Sequence, residues 1–339
     1  MGAKEIKELV QLCDQRGQLN EGSVGWSRAP IIDCNVTGSP LRKKKWNYWC
    51  VTSPDVLFSA TISHIDYAAV LFVYVLDIKS KRFKEKTVLS PFGIGCDMPN
   101  EVNASLRYVS KEMSLLFTED GDGTTIEVTV PSFNGAGKPL TAKLKVRRPE
   151  GYESLNVVIP WSKQRFQFTS KAPALPVSGT VNWNGVSYSL IEGEAYGTLD
   201  FGRGKWPYQS TWNWGAASGV SEGRTIGLNF GGQWTDGTGQ TENGVLVDGK
   251  LVKINEDMLW TYDKTNYMNP WCISTAKSDD VELTFVPIFE RVAATKAVII
   301  RSEVHQLVGS YYGHITAQSG ERIRIDNLLG WAEDHIASW

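Results

Sequence analysis

From about Trp46 onward the chain alternates apolar and polar side chains with a period of two. Ile126, Val128 and Val130 fall on one side of a segment whose other side carries Thr125, Glu127 and Thr129. Leu140, Ala142, Leu144 and Val146 alternate in the same way with Thr141, Lys143 and Lys145. This is the pattern of half-buried antiparallel strands. Val56–Ile62 and Ala69–Asp77 predict two more. Asp120-Gly121-Asp122-Gly123, Asn134-Gly135, Asn184-Gly185 and Asp248-Gly249 punctuate the alternation. Asn-Gly and Asp-Gly supply the positive φ angles that two-residue hairpin turns need, so these pairs predict hairpins, most clearly in VNWNGVSY at 181–188. Roughly sixteen to eighteen short strands follow, with almost no helical pattern between them. The exception is KEIKELVQLCDQ at 4–15, which places Ile6, Leu9, Val10 and Cys13 on one helical face and predicts a short N-terminal helix.

These strands predict an all-β chain of two antiparallel barrels or sandwiches side by side. Pro173 and Pro176 break the strand pattern near the middle of 339 residues, which predicts domains at 1–172 and 173–339. Each half would hold about eight strands, enough for an up-and-down barrel around one ligand. The last segment, LLGWAEDHIASW, reads as a terminal helix or an extended lid.

A net charge of −2 gives no basic footprint for nucleic acid. Arg42, Lys43, Lys44 and Lys45 form the only basic run and read as a solvated loop. Cys13, Cys34, Cys50, Cys96 and Cys272 are odd in number and contain no CxxC pair, which argues against a disulfide framework or a zinc site. Four histidines, with only His305 and His314 close in sequence, argue against a histidine metal site, and no cofactor is expected. MGAKEIKELVQL lacks the apolar stretch of a secretory signal, so a cytoplasmic location is expected. The longest apolar run, Tyr67 to Leu76, is far below the ~20 residues that span a bilayer, and no integral membrane segment is expected. No feature defines an oligomeric state.

Thirteen tryptophans are the compositional anomaly. They concentrate in AYGTLDFGRGKWPYQSTWNWGAASG and GLNFGGQWTDGTGQTENG, together with the candidate acids. Aromatic walls with a few convergent polar groups suit a pocket for a large organic ligand. Asp200 and Glu242 are the candidate catalytic acids. Arg203, Trp206, Tyr208, Trp212, Trp214, Asn229, Trp234 and Asp236 are the candidate ligand-binding residues. Gly202 and Gly204 read as a bend that lets Arg203 face the same space as Asp200. Desolvation would then raise the Asp200 carboxyl pKa and the guanidinium would lower it. Glu290-Arg291 reads as a local ion pair, and His335, beside Glu333 and Asp334, is an acid–base candidate by residue type.

DFGRGKWPYQSTWNWGAASG, GLNFGGQWTDGTGQTENG, WSKQRFQFTSK and FVPIFER resemble a bacterial family of uncharacterised function over nearly the whole chain. More distantly, the Asp followed by Trp-rich, Gly-ended sequence is similar to the lipocalin-related superfamily of carotenoid hydratase (hydroxyneurosporene synthase), kievitone hydratase, tocopherol cyclase and decalin-forming Diels–Alderases. The resemblance implies two lipocalin-like barrels with a hydrophobic ligand in or between them. The expected function is a cofactor-independent lyase or isomerase, of hydratase or cyclase type, acting on a hydrophobic, isoprenoid-like small molecule. A non-catalytic carrier or sensor of a lipid-like molecule, and a carbohydrate-active protein using tryptophan stacking with an Asp/Glu pair, are the alternatives.

Overall fold

The computed structural model describes residues 3–297 and 300–339. The chain is all-β, with twenty-four strands and a single 3-10 turn at Glu21–Ser23 among the described residues. The strands predicted from alternation form at Val56–His64, Ala68–Asp77, Gly123–Val130 and Leu140–Arg147. Asn184-Gly185 and Asp248-Gly249 take the positive φ angles expected of their hairpins, 54° and 79° in the first and 51° and 74° in the second.

The predicted N-terminal helix does not form. Glu5 bridges Trp26, and Val10–Gln11 pairs in parallel with Ile32–Asp33. A helix of this length is marginal in water. Here the backbone finds outside partners, with Ile6 N–H donating to the Trp26 carbonyl at 2.7 Å and Leu12 N–H to that of Asp33 at 2.9 Å. Leu9, assigned to the apolar helical face, is 78% exposed while Leu12 is fully buried.

The strands form two curled antiparallel sheets, lipocalin-like in architecture. The central path of the first runs in the order 83–91, 68–77, 56–64, 43–52, 196–205, 165–183, 140–147, 123–130, 114–119, 106–109. The second runs 250–254, 243–247, 224–232, 209–221, 322–338, 300–316, 281–297, 271–275, 258–261. Pro173 lies inside the continuous strand Arg165–Trp183, at a break in register between Ala172 and Leu175 where Ala174 has a φ of 60°. The prolines therefore mark a bulge that bends one long strand. The last strand of the first sheet ends at Lys205, and the first strand of the second begins at Gln209. The last segment is neither helix nor lid. Arg322–Ser338 is an inner strand of the second sheet, paired with both 209–221 and 300–316.

Where the two sheets meet, a strand is buried on both faces, as Tyr196–Lys205 is throughout. On Tyr196–Lys205, Leu199 and Phe201 join the concave core of the first sheet, and Phe166 and Phe168 of the neighbouring strand join them there. Asp200 points the other way, as does Lys171 beside it in register. The outer faces of the two sheets pack against each other. Tyr48, Tyr74 and Leu76 of the first meet Trp214, Val308 and Trp331 of the second, and Trp206 and Trp234 form a second cluster alongside.

Candidate active site between the sheets

A cavity of about 300 Å³ remains where these outer faces meet. Its aromatic wall is centred on Trp206, whose ring is stacked on Trp234 with centroids 5.2 Å apart and lies 5.6 Å from Trp212 and 4.9 Å from Trp161. Buried indoles usually find an acceptor, and four such acceptors tie the wall down. Trp206 Nε1 donates to Gln167 Oε1 at 2.8 Å, Trp214 Nε1 to Asn229 Oδ1 at 2.9 Å, Trp234 Nε1 to Glu242 Oε1 at 2.6 Å, and Trp212 Nε1 to Glu333 Oε1 at 3.1 Å. Gly202 makes room for the wall, because a Cβ there would collide with the Trp46 indole. A Cβ at Gly231 would collide with the Glu242 carboxyl.

The first polar group is a buried triad. Lys171 Nζ lies 2.9 Å from Asp200 Oδ1 and 3.1 Å from Glu242 Oε2, and 4.2 Å from the centre of the Trp214 ring. Thr169 Oγ1 donates to Asp200 Oδ1 at 3.3 Å. Burial alone would lower the ammonium pKa, but the two carboxylates outweigh it and the net direction is upward. Burial raises the Glu242 pKa, with Lys171 opposing and Asp200 reinforcing. Glu242 Oε2 makes no aligned hydrogen bond despite its proximity to Nζ.

The second group is Glu333. Its Oε1 accepts from Trp212, and its Oε2 accepts from Gln306 Nε2 at 3.2 Å. Gln306 is fixed in turn by Tyr74, whose hydroxyl donates to Oε1 at 2.9 Å and lies 2.7 Å from the Tyr48 hydroxyl. Glu333 has no ion-pair partner among the described residues, and burial pushes its pKa up to about 7. Next to it, His335 Nε2 lies 2.8 Å from Ser302 Oγ and the ring packs 3.9 Å from Trp212. Burial, reinforced by Arg291, lowers the His335 pKa to about 3. The imidazole is therefore neutral in the physiological range and cannot act as an imidazolium acid. Arg291 is held bidentately by Glu85, with both contacts at 2.9 Å.

The structure thus brings Asp200, Glu242, Trp206, Trp212, Trp214 and Trp234 to one cavity. Asn229 stands behind the wall, bonded to Trp214 and to the Glu242 carbonyl. The remaining three candidates lie elsewhere. Arg203 is not a partner of Asp200. The run DFGRGK is strand rather than turn, and a three-residue separation puts the two side chains on opposite faces. Arg203 donates to the carbonyls of Trp46 at 2.8 Å and Pro99 at 3.1 Å and to Asn47 Oδ1 at 2.8 Å, and burial lowers its pKa to about 9. Tyr208 is 42% exposed and packs under Arg42. Asp236 is exposed and accepts from Gln233 N–H in a tight turn. The expected Glu290–Arg291 pair is also absent, since neighbours on a strand face opposite ways; Glu290 bonds His305 at 2.7 Å.

Sequence reasoning missed Lys171, Glu333 and Gln306. A signal for Lys171 existed: Gln167, Thr169 and Lys171 share one strand face, and that face is buried. Among the described residues no cluster of three or more His, Cys, Asp or Glu side chains could hold a metal ion, and no helix is long and apolar enough to cross a membrane.

The fold is thus two curled lipocalin-like sheets with an aromatic cavity between them. The chain belongs to the DUF2804 family, a domain of unknown function, whose profile covers residues 3–339. A protein described as AttH from Nitrosomonas europaea is similar in structure, with a TM-score of 0.51 and 11% identity over 90% of this chain and 98% of that one. This likeness is one of fold. CghA in complex with Sch210972 aligns with a TM-score of 0.49 and 12% identity over 89% of this chain and 90% of that one. Kievitone hydratase from Nectria haematococca aligns at 0.45 and 8% over 89% and 91%. No curated protein matches the sequence.

Proposed function

We propose that the protein is a cofactor-independent lyase or isomerase, of hydratase or cyclase type, that acts on a hydrophobic small molecule held between the sheets. One observation carries this reading. Glu333 stands in the wall of an aromatic cavity, hydrogen-bonded by the neutral donors Trp212 and Gln306 and without an ion-pair partner among the described residues. Such a carboxyl keeps its proton near neutrality and can return to the carboxylate, as an acid acting on carbon requires. In a hydration, the Glu333 carboxyl protonates one alkene carbon. Water adds to the other and loses a proton, which restores the acid. In a cyclisation, a second alkene of the substrate attacks that carbon instead of water, and the new cation loses a neighbouring C–H proton to the Glu333 carboxylate, which restores the acid. The positive charge that develops lies against the faces of Trp212, Trp214 and Trp206, worth about 0.5–2 kcal/mol each. Asp200 and Glu242, placed as the acids by sequence reasoning, are tied to Lys171 and serve in this reading as a fixed dipolar wall.

A carrier without chemistry would need no carboxylate near the ligand, whereas Glu85, Asp200, Glu242 and Glu333 all line this cavity. A glycosidase pair needs one carboxylic acid free to donate, and Lys171 binds both candidates. The test uses acyclic isoprenoid alkenes in heavy water, with deuterium incorporation into product or recovered alkene as the readout. Glu333→Gln is expected to lower incorporation by about 10²–10⁴-fold while alkene binding persists. Alkene binding to the wild type without incorporation would favour the carrier. Full activity in Glu333→Gln with loss in Asp200→Asn/Glu242→Gln would return the acid to the triad.

A further inference from the structure

The cations around the cavity are not equivalent. Lys171 is paired with Asp200 and Glu242, and Arg291 with Glu85. Lys45 directs its ammonium to the Met98 carbonyl, 3.4 Å away. Lys44 is different. Its residue is 1% exposed, it lines the cavity, and it forms no ion pair among the described residues. Its hydrogen-bond acceptor is the Ile65 carbonyl at 3.2 Å. Two ring faces also lie against it, Tyr67 at 4.7 Å and Trp339 at 5.2 Å. The nearest acid, Asp66, is already engaged by Lys43 at 3.2 Å and by the Arg42 backbone N–H at 3.1 Å.

The same corner holds a second anomaly. The Tyr67 hydroxyl and the Trp339 indole nitrogen are both buried with no hydrogen-bond partner. Buried donors without acceptors are rare and costly. Here two of them flank a buried ammonium that has no counter-ion, itself an expensive arrangement in an apolar setting. An anionic oxygen pair would satisfy all three donors at once.

Resting on the reading of the cavity as a site for a hydrophobic small molecule, we infer that its ligand is an amphiphilic acid whose carboxylate is bound by Lys44, Tyr67 and Trp339. A carboxylate matches the single ammonium that Lys44 presents to the cavity lining; the Arg42 guanidinium stands outside that lining, 3.5 Å from the Trp339 carbonyl. In the ladder of strands Lys43–Thr52 and Tyr196–Lys205, Lys44 pairs with Gly204 and Tyr48 with Asp200. The head site is thus four residues from the triad, about 13 Å along the strand. The apolar body of the ligand would run from Lys44 past Trp46 and Trp206 toward Lys171 and Glu333. The acid site fixes one end of the ligand, and the distance selects which carbon meets the Glu333 carboxyl.

The test is binding of dodecanoate and of dodecanamide, which differ only in the charge of the head, by isothermal calorimetry at pH 7. A charged hydrogen bond in a buried site corresponds to about tenfold or more in affinity, so the wild type is expected to prefer dodecanoate by at least that factor. Lys44→Met, which keeps the packing on Tyr67 and Trp339, is expected to remove the preference while dodecanamide still binds. Lys44→Arg is expected to retain it. Equal affinity of the wild type for the two compounds, or an undiminished preference in Lys44→Met, would overturn the acid site and leave the hydrophobic cavity standing. Failure of the wild type to bind either compound would overturn both.

Discussion

Arg203 and Lys171 are two buried cations on adjacent strands of the same sheet, and they are stabilised in opposite ways. Arg203 faces the concave core of the first sheet and is satisfied by neutral oxygens of Trp46, Pro99 and Asn47. Lys171 faces the space between the sheets and is held by two carboxylates. Carbonyls complete a guanidinium without adding charge, so the Arg203 arrangement is inert and knits one strand to its neighbours. A lysine between two acids is a fixed polar array, set beside a cavity. The same fold therefore uses one side of a strand for packing and the other for electrostatics.

The largest effect that separates the two settings is expected at Lys171. Lys171→Met leaves two buried carboxylates without a cation and should cost about 3–5 kcal/mol of stability in urea unfolding. The triple variant Lys171→Met/Asp200→Asn/Glu242→Gln should recover most of it. If the single and triple variants are equally unstable, the triad is not a coupled unit.

A somewhat smaller effect is expected from pH, through two groups that line the cavity, Glu333 and His335. The Glu333 carboxyl is raised from 4.5 to about 7. Between those values the folded chain holds a proton that the unfolded chain has released, so stability falls as pH rises, by about 3 kcal/mol in all. His335, lowered from 6.5 to about 3, acts in the opposite sense. Its stability is present above 6.5 and is lost as pH falls, because the unfolded chain takes up the proton first. The two slopes oppose each other between pH 4.5 and 6.5. Glu333→Gln should expose a rising slope there and His335→Gln a falling one, measured by urea unfolding across that range. Slopes of the same sign in both variants would refute the assignment.

The smallest effect belongs to the concave side. Arg203→Met strands several carbonyl acceptors and should cost about 1–3 kcal/mol. Combined with Asp200→Asn it should be additive within about 0.5 kcal/mol, as expected for residues without shared partners. Lys171→Met combined with Asp200→Asn should not be additive. Additivity in both pairs would erase the distinction between the two faces.

The fold was legible in the sequence where the signal is local. Hairpins at Asn184-Gly185 and Asp248-Gly249 and the strands 124–130 and 140–146 depend on period and turn chemistry alone, and they formed as expected. The N-terminal helix was misread because Ile6, Leu9, Val10 and Cys13 satisfy a 3.6-residue period, whereas the backbone of this segment pairs with Trp26 and Ile32–Asp33 instead. Much of the site was legible as composition. Asp200, Glu242 and four of the tryptophans converge because the segment that carries them forms adjoining strands and the turn beside them. Lys171 and Glu333 were not legible in this way. Lys171 reaches Asp200 through the register of a ladder, and Glu333 reaches Trp212 across 121 residues, on a strand that looked like a terminal appendage. Arg203 was misplaced for a simpler reason. Two glycines in DFGRGK suggested a bend, whereas in the strand Gly202 leaves room for the Trp46 indole and the chain runs straight.

The pocket is bounded by the exteriors of two bodies that each have a packed core of their own, so it is the property of neither. Its width is set by how the two sheets lean on one another, and a substitution deep in either core can retune ligand fit by tilting a whole wall. The short 206–208 linker is also a natural crossover point. Exchange of halves between related chains at that position would pair a new Lys44–Lys171 wall with an old Glu333 wall, and would shift selectivity without a single new side chain.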